Sequence, residues 1–67
     1  MTNNEIKNHM MTLTCQMVSL KRAGKDLMTL AIGFHSAMKE QKVPLNVRNM
    51  MWIEAENAAN TVIKING

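Results

Sequence analysis

Tyrosine does not occur in this 67-residue chain, and Cys15, Pro44, Phe34 and Trp52 are each the sole residue of their kind. One cysteine excludes an intrachain disulfide. With only His9 and His35 beside it, and no CxxC or HxxxH spacing, one chain has no conventional set of zinc ligands. Domains of about 60 residues bury a thin core and are marginal alone. Small folds compensate with disulfides, a metal or self-association, so the expectation here is a single domain over 1–67 that assembles as a homo-oligomer. No apolar run reaches the ~20 residues of a membrane span, and the polar start Met1-Thr2-Asn3-Asn4-Glu5 does not resemble a signal peptide. These features and the unpaired cysteine lead us to expect a cytoplasmic protein with no membrane partner.

What the chain does have is methionine, eight of them, within a 46% hydrophobic composition. Methionine fills irregular gaps, so these side chains read first as core and second as a Met-rich binding face. Net charge is +3, mildly favourable to an anionic partner and too small to indicate nucleic acid by itself.

The apolar residues have helical spacing. Ile6, Met10, Leu13, Met17, Leu20, Gly24, Leu27, Ala31, Phe34 and Met38 recur at alternating intervals of four and three, where a strand would alternate by two. Thr2 and Glu5 have the spacing of a capping box that starts the first helix near Asn3. Gly24 falls on the seam. Either the helix runs unbroken from about residue 3 to about 41, or it stops with Gly24 as its C-terminal cap; the unbroken phase of the seam favours the first. Pro44 disfavours helix at Val43. Asn46 is the expected N-cap of the last helix, with Leu45 and Met50 as its hydrophobic staple. Val47, Met51, Ala55, Ala58, Val62 and Ile65 form its stripe, and Asn66-Gly67 its stop. The fold class is therefore all-α. It contains a helical hairpin of Lys25 to Gln41, a turn at Lys42 to Leu45, and Asn46 to Ile65. The N-terminal segment must fold back as a third helix or pack on another chain.

Catalytic groups do not assemble in this pattern. Cys15 and His9 are six apart on one helix and point differently, so Cys15 reads as a packed small hydrophobe. Glu54 and Glu56 are two apart and diverge. Ser19 and Ser36 read as surface, and no glycine-rich phosphate loop exists. The expectation is a non-enzyme with no cofactor. Two basic groups are candidates for ligand binding. Lys21, Arg22 and Lys25 flank Gly24, with Lys21 and Lys25 sharing a face if the helix continues. If it breaks, the N–H groups beyond Gly24 open a new helix and offer an anion site; the plainer reading is a solvated bend. Arg48, Asn49 and Trp52 form the second group. Arg48 supplies planar donors for a phosphate and Trp52 a stacking surface for a base, while the plainer reading makes Trp52 the anchor of the hairpin.

The stretch Phe34-His35-Ser36-Ala37-Met38, followed by Val43-Pro44-Leu45-Asn46-Val47-Arg48, Trp52, Ala55-Glu56-Asn57-Ala58-Ala59-Asn60 and Ile63, resembles the helical hairpin of phage anti-CBASS cyclic-nucleotide sponges. The resemblance covers residues 30 to 65. It implies a compact oligomer that sequesters cyclic di- or trinucleotide defence messengers without cleaving them. Arg48 is the residue it carries over; the family's tryptophan lies later in the last helix than Trp52 does here. Two other readings stand beside it. One is a protein–protein inhibitor or adaptor with a Met-rich helical face. The other is an RNA- or DNA-binding hairpin dimer, against which five acidic residues offset the eight basic ones.

Overall fold

The computed structural model describes residues 2–66, which form three helices and no strand. Helix α1 spans Asn3–Arg22, α2 Met28–Glu40 and α3 Leu45–Asn66. The capping box is present. The Thr2 hydroxyl accepts from the Glu5 N–H at 3.2 Å, and the Glu5 carboxylate accepts in return from the Thr2 N–H at 3.4 Å. These bonds satisfy N–H groups that a helix start leaves without partners. The Thr2 hydroxyl also donates to Glu5 Oε1 at 3.1 Å, and this bond, followed by that of the Thr2 N–H, holds the Glu5 carboxyl below its usual pKa.

The first helix does not continue through Gly24. Gly24 has φ +71°, its N–H donates to the Lys21 carbonyl, and the Lys25 N–H donates to the Leu20 carbonyl. That pair of bonds is a Schellman cap with Gly24 at the left-handed position. The favoured straight helix is thereby corrected, and so is the shared face of Lys21 and Lys25, since Lys25 lies beyond the helix end. The seam was sound in what it buried: Leu13 and Met17 of α1, and Phe34 and Met38 of α2, are all core residues. Periodicity states which side chains face a core and is silent on whether the chain reverses between them.

A second Schellman cap closes α2. The Lys42 N–H donates to the Lys39 carbonyl and the Val43 N–H to the Met38 carbonyl, each at 3.0 Å. Buried Val43 and Met38 supply the apolar contact that accompanies this motif. The left-handed position here is Lys42, at φ +60°, an unfavourable residue for it. Pro44 then enters α3, its carbonyl accepting from the Arg48 N–H at 3.0 Å. Asn46 therefore sits inside the first turn and not at the cap. Leu45 and Met50 are both more than half exposed, so they form no staple. Helix α3 extends to Asn66, and Gly67 lies outside the described residues.

The chain forms an up-down-up bundle. Lys21, near the end of α1, reaches Glu56 and Asn60, whereas Ile6 and Met10, near its start, lie beside Glu54 and Ala55; α1 and α3 are therefore parallel, and α2 runs against both. The N-terminal segment folds back within its own chain. The closest pairing is α1 with α3, which the fully buried Ala55 and Ala59 permit by leaving no bulk between the helices. The sequence stripe placed Ala58 in this position, but Ala58 is exposed, as is Ile65. Met17 and Met51 are both fully buried within the same core cluster. Methionine is thus core filling at Met17, Met38 and Met51. Met11, Met28 and Met50 are exposed, one on each of the three helices.

Candidate functional site

The two basic groups stand apart. Lys21 binds Asn60, twelve residues along α3 from Arg48, or ~18 Å at 1.5 Å per residue. The Lys21 ammonium donates to the Asn60 carbonyl oxygen at 2.6 Å and to Glu56 Oε2 at 3.3 Å, so it ties α1 to α3. Arg22 and Lys25 are exposed and bond to no side chain among the described residues. The anion site that a break at Gly24 could have opened is occupied from within: Asp26 Oδ1 accepts from the Met28 N–H at 3.0 Å at the start of α2. A carboxylate there satisfies the orphan donor and repels a second anion.

Arg48 and Trp52 belong to the α2–α3 seam. Arg48 Nη1 donates to the His35 carbonyl at 3.2 Å, and Arg48 Nε is buried without a partner. Trp52 is half-buried against Phe34 and His35, with ring centroids 5.9 and 6.2 Å away. The His35 ring also meets the Phe34 ring edge-on at 5.2 Å. Such clusters add contact energy beyond burial. Arg48 and Trp52 therefore already hold the hairpin together, and Asn49 beside them is exposed.

A strongly apolar groove of about 470 Å³ lies elsewhere, between α1 and α3. Ile6, Met10, Met11 and Cys15 form one wall, Ala58 the other and Ala55 the floor. Thr14 also lines it, but its hydroxyl donates to the Met10 carbonyl at 2.7 Å and so is spent on the backbone. The groove continues past Val18 to Val62 and Arg22. Cys15 is exposed here, which corrects its reading as a packed core residue. A second groove, about 450 Å³, runs between α1 and α2 and carries more polar groups, among them His9, Gln16 and Thr29.

Sequence reasoning missed the first groove although its signal was present. On α3, Ala58, Val62 and Ile65 drift away from the Met51–Ala55–Ala59 line. That drift marks a second apolar edge, where a single stripe had been read. Among the described residues no cluster of three or more His, Cys, Asp or Glu side chains is placed to hold a metal, and no helix is long and apolar enough to cross a membrane. In comparisons with known proteins, no family model matches the chain, and neither a curated protein nor a solved structure shows significant similarity to it.

Proposed function

We propose that this chain is a non-catalytic interaction module that acts by docking another protein surface, in the manner of a small inhibitor or adaptor. The observation that carries this reading is the α1–α3 groove, open to solvent and lined almost wholly by apolar atoms. Exposed apolar surface of this kind is costly in water and recurs where proteins bind one another. Its walls are parallel helices with small residues on one side, a shape that accepts the ridge of another helix. Phosphate recognition has weaker support, because the guanidinium of Arg48 is directed to the His35 carbonyl and Lys21 is paired with Glu56. One observation favours the cyclic-nucleotide sponge as a second reading: the buried Arg48 Nε has no acceptor, and a ligand oxygen would supply one.

Cys15 provides the test, since it stands in the groove wall and is exposed. Its rate of alkylation by a maleimide is measured in the dilute purified protein, in the concentrated purified protein and in extracts of cells making it. Docking predicts slowed labelling in the extract, in the concentrated protein or in both, with fast labelling restored by Ala58→Arg. Labelling at the free-thiol rate in every sample would exclude the groove as a docking surface. Titration calorimetry with cyclic di- and trinucleotides tests the second reading. Saturable binding lost in Arg48→Ala would replace the docking proposal with the sponge.

A further inference from the structure

We infer that the occupant of the α1–α3 groove is a second copy of this chain, related by a two-fold axis parallel to the helices; the inference rests on the docking reading above. Three observations support this occupant. The first is area. A monomer of 7.6 kDa typically exposes about 4,300 Å². This chain exposes 4817 Å², an excess of roughly 500 Å² over that expectation. The excess is of the same order as the about 800 Å² that a standard interface takes from each partner.

The second observation is charge. Lys7 on α1 and Glu54 on α3 both line the groove, one on each of the two helices that form it. Among the described residues the one ion pair is Lys21–Glu56, so neither lip charge is paired within the chain. A two-fold axis along the groove lays α1 of each copy over α3 of the other without changing its level. Lys7 of one copy then faces Glu54 of the second copy, twice per dimer. This is the self-complementarity an isologous interface requires.

The third observation chooses between the two ways of closing the groove. An axis across the helices turns the second copy end over end. It would lay α1 on α1 and bring Lys7 opposite Arg22, which lines the far end of the same groove. Like charges in such positions oppose association. The lengthwise axis avoids that contact. It also sets the Met10–Met11 wall against the Ala58 wall, large side chains against small. Four helices then enclose Ala55, Ala58 and the methionines between them.

The experiment is sedimentation equilibrium on the wild-type chain, the single charge reversals Lys7→Glu and Glu54→Lys, and the double reversal. Both positions are exposed, and circular dichroism confirms folding of each variant. The wild type should be a dimer. Each single reversal should weaken it roughly tenfold, since two exposed pairs turn repulsive at once, and the double reversal should return most of the affinity. Ala58→Arg, which fills the groove with a charge, should give a folded monomer. A wild type that stays monomeric at high micromolar concentration overturns the second copy as occupant. Slowed Cys15 labelling confined to extracts would then leave the docking reading standing with a different partner. A dimer indifferent to the single reversals, or one not restored by the double, overturns the lengthwise arrangement.

Discussion

Gly24→Ala and Lys42→Gly are opposite substitutions at equivalent sites, and the fold assigns them opposite signs. Each residue occupies the left-handed position of a Schellman cap, at φ +71° and +60°. An L-residue held in that region costs about 1–2 kcal/mol. Replacing Gly24 by Ala incurs this cost, while restricting the unfolded chain returns about 0.4–1 kcal/mol. A Cβ on Gly24 would meet no atom within 4 Å, so no steric contribution is added. The net loss is about 0.5–1 kcal/mol. Lys42→Gly reverses each contribution and should gain about as much. In a domain of this size each kcal/mol moves the melting temperature by roughly 4–8 °C, so the shifts are readable. Thermal unfolding followed by circular dichroism, at one protein concentration because association shifts the midpoint, is sufficient. A helix running straight through Gly24 would instead gain about 1 kcal/mol from alanine. Stabilisation by Gly24→Ala, or destabilisation by Lys42→Gly, would refute the two caps.

Asn46→Ala should change the stability measured by urea unfolding by less than about 0.5 kcal/mol, as is usual for an exposed site, because the residue lies inside the first turn of α3 and caps nothing. Ala59→Leu should cost about 1–3 kcal/mol by overpacking, since Ala59 is fully buried where α1 and α3 pack together; urea unfolding measures it. Arg48→Ala should cost about 1 kcal/mol through the lost bond to the His35 carbonyl, with unfolding in urea again the readout. The folded-state pKa of Glu5 is depressed by Thr2. Its contribution is therefore present above the unfolded carboxylate pKa and is lost as pH falls through the lowered folded value. Acid titration followed by NMR should show the Glu5 carboxyl titrating below the ordinary glutamate range, and Thr2→Ala, which removes the larger of the two causes, should raise it part of the way back.

The helical class, the capping box and the core positions of α1 and α2 were legible because each rests on local spacing. A capping box needs only Thr2 and Glu5 three apart, and a stripe needs only the period of one helix. The reversal at Gly24 was not legible, because the seam keeps its phase through the turn and a glycine on a seam serves either geometry. Lys42 gave no signal either, since lysine has no preference for left-handed backbone; its conformation is imposed by burial of Val43 against Met38. The start of α3 moved because Pro44 itself occupies the entry to the helix, leaving Asn46 two residues too far in to cap it. The candidate site was the least legible part. Arg48, Trp52 and Lys21 were singled out for chemical type, and each instead has a partner in the fold. The groove arises from two helices distant in sequence, and only the drift of Ala58, Val62 and Ile65 along α3 hinted at its second wall.

The central claim is that the chain reverses at Gly24 where α1 ends, so that α3 lies alongside α1 and the two create the groove. Spin labels at Asn8→Cys and Lys39→Cys, in a Cys15→Ala background diluted with unlabelled chain, test it most directly. Both positions are exposed. In the bundle they lie at the same end of neighbouring helices, whose axes pack about 8–10 Å apart when in contact. Pulsed electron paramagnetic resonance should then report a separation no greater than about 25 Å once label length is added to that spacing. A continuous helix would place the two sites 31 residues apart along one axis, or ~46 Å. A distance distribution centred there would contradict the fold and remove the groove with it.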